Sequence, residues 1–159
     1  MQDVYLLLGS NLGERNTYLE RARLLINERV GRVGAVSSLY ETAAWGVSNQ
    51  PPYLNQVLLV KTKQKPQTVL QEVLAIEKEC GRERIEKWGS RVIDIDILFY
   101  ENEIINEPDL IVPHPYFQER RFAVEPMLEL NAEFMHPVLK KTIKSIALEL
   151  TDKLSVEKI

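Results

Sequence analysis

Residues 92–100 read Val-Ile-Asp-Ile-Asp-Ile-Leu-Phe-Tyr, an apolar run that only two carboxylates interrupt. A short run of β-branched and aromatic residues of this length predicts a buried strand. Side chains two positions apart in a strand point to the same face. We therefore expect Asp94 and Asp96 to share one face of the sheet, while the isoleucines beside them face the core.

The segments around this strand alternate between strand and helix patterns. Further strands are predicted over residues 4–8, 32–42 and 53–63, with a short edge strand over 103–105. Helices are predicted from Asn11 or Gly13 to Val30, and over residues 66–80, 122–130 and 143–154. The order strand, helix, strand, strand, helix, strand predicts an α+β fold. We expect a ferredoxin-like βαββαβ antiparallel sheet with its helices on one face and extra C-terminal elements.

Length, composition and net charge indicate a single-domain protein and argue against some classes of partner. The 159 residues, 45% hydrophobic and 27% charged, predict a single domain over 1–159. A net charge of -3 and the lack of a long apolar run argue against nucleic-acid and membrane partners. The single cysteine, Cys80, and an N-terminus unlike a signal peptide favour a cytoplasmic protein. The oligomeric state stays open, with a monomer as one option.

The two aspartates need compensation, because an unpaired buried carboxylate is costly. Oxygen ligands on one face suit Mg²⁺, which takes one or two protein carboxylates with phosphate oxygens and water. The preceding loop carries cations suited to a polyphosphate: Arg82, Arg84, Lys87 and Arg91. Taken singly, a D-x-D motif is more often a solvated pair, and this loop is as readily a solvated surface.

Five residues in or next to loops suit a flat heterocyclic ligand: Trp45, Tyr53, Asn55, Trp88 and Phe122. Aromatic rings stack on such a ligand, and an asparagine pairs with its donor-acceptor edge. Each also has an ordinary structural role, such as a core position for Phe122. His114, between two prolines, is more often a structural histidine, and Gly9-Ser10-Asn11 either approaches a phosphate or forms a tight turn. His136 is assigned no role.

In combination these segments resemble the 6-hydroxymethyl-7,8-dihydropterin pyrophosphokinase family. The stretch Lys87-Trp-Gly-Ser-Arg91-Val-Ile-Asp94-Ile-Asp96-Ile-Leu98 is similar to that family's motif throughout. Further matches are Gly9-Ser-Asn-Leu12, Ser38-Leu-Tyr-Glu-Thr42, Tyr53-Leu-Asn55, Glu77 with Gly81-Arg82, and Pro113-His114. The resemblance implies transfer of the β,γ-diphosphate of ATP to the hydroxymethyl group of the dihydropterin. AMP is the other product, and the pathway is tetrahydrofolate biosynthesis.

The resemblance also implies roles for individual residues. Asp94 and Asp96 would hold two Mg²⁺ ions, and Arg82 and Arg91 would be catalytic phosphate contacts. The pterin contacts would be Thr42, Ala43, Trp45, Tyr53, Asn55, Trp88 and Phe122. The ATP contacts would be Leu70, Glu77, Arg82, Arg84, Arg91, Ile97, His114 and Arg120.

The chain departs from the family's pattern at a few positions. Ala43-Ala44 stands where a proline is common, Trp45 replaces a smaller apolar residue, and Leu74 replaces a polar residue that helps to hold ATP in some members. Two other functions remain. A nucleotidyltransferase of the polymerase-β type also pairs Gly-Ser with D-x-D, but with only about one helix between them. A non-catalytic ferredoxin-like module would need neither the aspartate pair nor the basic loop.

Overall fold

The computed structural model describes residues 1–42, 51–81 and 92–159. The strands are β1 (Gln2–Ser10), β2 (Arg32–Val36), β3 (Tyr40–Thr42), β4 (Tyr53–Thr62), β5 (Asp94–Tyr100), β6 (Ile105–Glu107), β7 (Leu110–Val112) and β8 (Val156–Lys158). The helices are α1 (Arg15–Arg29), α2 (Pro66–Glu79), α3 (Arg121–Asn131) and α4 (Ile143–Leu148), and a 3₁₀ turn covers Phe117–Glu119. None of the helices within these ranges has the length and apolar character that crossing a bilayer requires.

The main sheet has the order β5-β1-β4-β3-β8, and β2 pairs with β4 beside β3. Every pairing in this sheet is antiparallel. β1, α1, the β2–β3 segment, β4, α2 and β5 follow one another as the predicted βαββαβ unit, so the predicted α+β ferredoxin-like fold is confirmed. β6 and β7 form a separate hairpin, which confirms the predicted edge strand two residues later than expected.

The predicted strand over 32–42 is divided into β2 and β3 by Ser37. The backbone N–H of Ser37 donates to the carbonyl of Val57, but the return bond goes from the N–H of Val57 to the Ser37 hydroxyl. A side-chain oxygen thus takes the place of a backbone carbonyl, which interrupts the ladder. The hydroxyl of Ser37 in turn donates to the carbonyl of Ser38.

The two faces of the sheet are covered by different helices. Leu6 and Leu8 of β1 pack with α1 and α2, whereas Tyr5 and Leu7 pack with α3 and α4. The predicted placement of helices on one face therefore holds for α1 and α2, and the C-terminal helices cover the opposite face, here called the α3 face. This alternation follows from the two-residue period of a strand.

The predicted helix over 143–154 is too long, since α4 ends at Leu148. Asp152 holds the chain beyond α4 in a non-helical path. Its carboxylate accepts hydrogen bonds from the N–H of Leu154, two residues on, and from the N–H of Arg121. A short polar side chain that bonds to nearby backbone competes with helix formation. The chain then continues as β8, which the sequence did not predict.

Candidate active site

Asp94 and Asp96 lie on β5 at one end of the sheet order, opposite Gly9 and Leu7 of β1. Both side chains are partly exposed and share one face. Ile95 and Ile97 alternate with them and are 5% and 7% exposed, within the core cluster of α1 and α2. The shared face predicted for the two aspartates is confirmed.

A cavity of about 380 Å³ opens beside the aspartates, between α2 and the segment that follows β6. Its lining includes six predicted residues: Leu70, Glu77, Asp94, Asp96, Ile97 and His114. These come from α2, from β5 and from the loop after β7. The structure thus brings most of the described residues of the predicted ATP side together around the two carboxylates. Leu74, Asp109 and Ile111 also line the cavity, although no ligand contact was predicted for them from the sequence.

Glu77 is the buried acid of this cavity, with only 3% of its surface exposed. Its carboxylate accepts a hydrogen bond of 2.7 Å from the N–H of Ile95, which ties α2 to β5. The pKa of Glu77 is raised to about 8, chiefly by burial and also by the nearby charges of Asp94 and Asp96, against the lowering effect of the Ile95 hydrogen bond. Glu77 is therefore largely protonated at neutral pH, and a cation bound at Asp94 and Asp96 would favour its ionised form.

His114 is neutral at physiological pH. Burial and the positive charge of Arg120 lower its pKa to about 4, although Asp94 acts in the opposite direction. Its Nδ1 atom accepts a hydrogen bond from the N–H of Tyr116, so the ring proton lies on Nε2. His114 therefore offers a single hydrogen-bond donor to the cavity without a formal charge.

Arg120 lines a smaller hollow on the α3 face of β5, together with Asp96 and His114. Its guanidinium lies 5.2 Å from the ring centroid of Tyr116 and 5.6 Å from that of Phe122. Arg120, predicted to contact ATP, thus shares a hollow with Asp96 and also contacts the ring of Phe122, which is predicted to contact the pterin.

Asp94, Gly9 and Asn55 lie side by side on three adjacent strands. Gly9 and Asn55 are here called the Gly9–Asn55 row. Gly9 of β1 pairs with Asp94 on one side and with Asn55 of β4 on the other. A Cβ atom on Gly9 would lie 2.8 Å from Oδ1 of Asn55 and 3.5 Å from Cδ1 of Tyr53. The missing side chain leaves room in which the amide of Asn55 and the ring of Tyr53 approach the β1 backbone next to Asp94.

The amide of Asn55 is nearly fully buried, at 3% exposure. Its Nδ2 donor has no hydrogen-bond partner among the described residues. Buried donors are normally satisfied by protein, water or ligand. This amide therefore suits a ligand edge that presents an acceptor.

The other described residues predicted for the pterin side surround this row. Thr42 ends β3 and pairs with Tyr53 at the start of β4. Phe122 is the second residue of α3, is partly buried and packs against the core of the α3 face. Six predicted residues lie outside the described ranges: Ala43, Trp45, Arg82, Arg84, Trp88 and Arg91.

The acidic side chains of the cavity are candidate ligands for a metal ion. Within residues 1–42, 51–81 and 92–159, no group of three or more His, Cys, Asp or Glu side chains is arranged to hold one. Two carboxylates on one strand face still suit Mg²⁺, since this ion usually completes its shell with water and phosphate oxygens. Asp94 and Asp96 therefore fit a magnesium ion that arrives with a polyphosphate.

The fold and the site define a ferredoxin-like α+β protein with an acidic cleft at one end of its sheet. Residues 5–132 match the family model described as 7,8-dihydro-6-hydroxymethylpterin-pyrophosphokinase. The chain is 43% identical over 153 residues to the 2-amino-4-hydroxy-6-hydroxymethyldihydropteridine pyrophosphokinase of Aquifex aeolicus, covering 96% of this chain and 95% of that one. It is 42% identical over 127 residues to the Bacillus subtilis enzyme of the same name, covering 79% and 76%.

The chain therefore belongs to the 7,8-dihydro-6-hydroxymethylpterin-pyrophosphokinase family, and the family and pyrophosphokinase activity predicted from the sequence are confirmed. Among solved structures, a variant of Plasmodium falciparum HPPK-DHPS with SDX-DHP superposes with a TM-score of 0.80 at 18% identity. The match covers 93% of this chain and 45% of that one, so this chain spans less than half of the solved chain. At this identity the likeness concerns the fold alone.

Proposed function

We propose that this chain transfers the β,γ-diphosphate of ATP to the hydroxymethyl group of 6-hydroxymethyl-7,8-dihydropterin, with Mg²⁺ held by Asp94 and Asp96, and releases AMP. One observation carries the proposal. The two carboxylates lie between a large cavity on the α2 side and the Gly9–Asn55 row on the α3 face. A metal-bound polyphosphate in the cavity would therefore end next to an acceptor bound over the row.

The cavity suits a nucleotide in size and lining. Its volume of about 380 Å³ falls in the range usual for small-molecule sites. Leu70, Leu74, Ile97 and Ile111 form an apolar part of the wall that suits a purine base. The Nε2–H group of neutral His114 supplies a donor for a phosphate or ribose oxygen, and Arg120 adds positive charge on the same side of Asp96.

The Gly9–Asn55 row suits the pterin. The amide of Asn55 would pair with the edge of the ring system, and Tyr53 and Phe122 would contact its faces. The space left by Gly9 lets the ring approach the sheet beside Asp94. Thr42, and Ala43, Trp45 and Trp88 outside the described ranges, complete the proposed pterin contacts on the strength of the family resemblance.

Asp94 and Asp96 would hold two magnesium ions. When bound, these ions neutralise the charge of the polyphosphate and of the reacting oxygens. The acceptor alcohol is a poor nucleophile, and apart from the two aspartates the described residues of the cavity offer no ready base at neutral pH, because Glu77, with a pKa of about 8, is largely protonated and His114, with a pKa of about 4, is a weak base. Acceleration would come chiefly from positioning and from fixed charge. Arg82 and Arg91 are proposed as the phosphate contacts during transfer, and Arg84 as an ATP contact.

The setting of the enzyme is also proposed. The single, buried Cys80 and the absence of a basic or long apolar tract suit a cytoplasmic enzyme that acts on small molecules. A monomer is proposed, with neither nucleic acid nor membrane as a partner.

Product analysis tests the proposed function. Purified protein, ATP, Mg²⁺ and the hydroxymethyl dihydropterin should yield AMP and the pterin diphosphate in equal amounts, and chelation of Mg²⁺ by EDTA should stop the reaction. Release of pyrophosphate with a nucleotidylated acceptor would indicate a nucleotidyltransferase instead. Turnover that persists without a divalent cation would refute the metal assignment.

A further inference from the structure

The end of the chain forms an extra strand on the sheet. β8 pairs antiparallel with β3, with Val156 opposite Thr42. The hydroxyl of Thr42 donates to the carbonyl of Ser155 at 2.9 Å, and the N–H of Ile159 donates to the carbonyl of Leu39 at 2.8 Å. The C-terminal segment therefore holds β3 along its outer edge, up to the residue at which β3 ends.

The same segment caps α3. The N–H of Arg121, the first residue of this helix, donates to Oδ2 of Asp152 at 2.9 Å, and the guanidinium of Arg121 donates to the Asp152 carbonyl. The residue before the helix, Arg120, provides no side-chain cap of its own. A carboxylate at a helix N-terminus satisfies a free N–H group and complements the helix dipole. A residue remote in sequence thus supplies the cap that the local sequence lacks.

The two elements held in this way carry, or lie directly beside, residues assigned to the pterin site. Thr42 lies at the end of β3, opposite Tyr53, and Phe122 directly follows the capped Arg121. β3 and α3 are joined near their other ends by Glu129, which accepts hydrogen bonds from Ser38 and Tyr40. That contact lies two helical turns from Phe122, so it leaves the spacing at the start of α3 to the C-terminal segment.

We propose that residues 152–158, here called the C-terminal strap, set the distance between the end of β3 and Phe122 and so pre-form the pterin subsite. Asp152 is the positioning residue of the strap, because both of its carboxylate oxygens are used, one on Arg121 and one on Leu154. The inference rests on the proposed function, since it assigns the pterin to this face.

A purely stabilising strap makes a different prediction, and the chain offers a matched control. Thr142 caps α4, on the same face, by accepting a hydrogen bond of 3.1 Å from the N–H of Ser145. Thr142→Ala and Asp152→Ala each remove one helix cap, so they should lower the melting temperature to a similar extent. Only Asp152→Ala should loosen the wall that carries Phe122.

The test measures dihydropterin affinity by titration calorimetry with Mg²⁺ and a non-hydrolysable ATP analogue present. Asp152→Ala should weaken dihydropterin binding about fivefold and raise its KM in turnover, with the affinity for the ATP analogue unchanged. Asp152→Asn keeps an acceptor oxygen and should restore most of the affinity. Thr142→Ala should bind like the wild type.

Two results would overturn the strap. One is wild-type dihydropterin affinity in a folded Asp152→Ala variant. The other is an equal loss in Asp152→Ala and Thr142→Ala, or an equal loss for both substrates, which would reduce the strap to a stabilising element. If the wild-type protein bound no dihydropterin, the proposed function would fail and the strap's role with it, so the two failures are distinguishable.

Discussion

Replacement of Gly9 by alanine tests the geometry of the pterin side directly. The new methyl group would lie 2.8 Å from Oδ1 of Asn55, closer than real carbon–oxygen contacts, and 3.5 Å from the Tyr53 ring, an ordinary contact. The clash therefore falls on the amide of Asn55. Because Asn55 belongs to β4 and is 3% exposed, its side chain can relieve the contact only by a small rotation away from Gly9.

The size of the effect follows from what that rotation removes. Asn55 would lose one or two hydrogen bonds to the pterin edge, each worth about 1 kcal/mol or somewhat more when its partner is left unsatisfied. A loss of about 1–3 kcal/mol corresponds to a rise in pterin KM of roughly 5- to 150-fold. The KM for ATP should stay within about twofold, because the α2-side cavity does not include Gly9.

Two other glycines provide controls: Gly34, which lies in β2, and Gly31, which directly precedes β2. A Cβ atom on Gly34 would have no neighbour closer than 3.8 Å, so Gly34→Ala should leave both KM values unchanged. A Cβ atom on Gly31 would lie 2.2 Å from the carbonyl oxygen of Lys61, so Gly31→Ala should lower the melting temperature. Steady-state kinetics on the three variants, with thermal unfolding, separates a local from a global effect. An unchanged pterin KM in Gly9→Ala would refute the assignment of the row.

Asp94→Ala and Asp96→Ala should each reduce turnover more than about 100-fold with an unchanged circular dichroism spectrum, because both side chains are partly exposed and removing one leaves the core intact; near-normal kcat with Mg²⁺ would contradict the metal assignment. Phe122→Ala should raise the KM for pterin more than that for ATP, and equal effects on both would make Phe122 a core residue only. Burial lowers the pKa of His136 to about 4 from an ordinary 6.5, so the unfolded chain binds the extra proton first as the pH falls. The contribution of His136 to the free energy of unfolding is complete above about pH 6.5 and is lost as the pH falls towards 4. Urea unfolding should show a free energy of unfolding lower by roughly 2 kcal/mol at pH 4.5 on account of this group. His114 titrates in the same direction, and His136→Asn, which retains an acceptor for the N–H groups of Val138 and Leu139, should reduce only the His136 share of that loss.

Local patterns were sufficient for part of the structure. The alternation around Asp94 and Asp96 predicted their shared face, because the two-residue period of a strand holds whatever the rest of the chain does. The order of the first six elements predicted the ferredoxin-like unit for a similar reason, since few topologies satisfy that order.

Other features depend on contacts between residues far apart in sequence. Ser37 divides a predicted strand only because its hydroxyl meets the N–H of Val57 across the sheet. β8 forms against the open edge of β3, and Asp152 is held by a hydrogen bond from the N–H of Arg121, which is distant in sequence. None of these partners is visible in a local pattern.

The candidate site likewise combines features that local patterns predict with features that depend on contacts between distant residues. From the sequence, Gly9 was predicted either to approach a phosphate or to form a tight turn. Its place between Asp94 and Asn55 follows only from the register of β1 with both neighbouring strands. Asp109 and Ile111 line the cavity because the β6–β7 hairpin folds towards α2, which no local signal indicates. The ligand contacts carried over from the family resemblance, including those of residues outside the described ranges, stay predictions.

The most direct test of the central claim follows the phosphorus atoms. ATP labelled at the β-phosphorus should be incubated with the protein, Mg²⁺ and 6-hydroxymethyl-7,8-dihydropterin, and the products separated by chromatography. Attack at the β-phosphorus places the label in the pterin diphosphate and leaves the AMP unlabelled. Label recovered in ADP or in free pyrophosphate, with none on the pterin, would contradict the proposed diphosphate transfer.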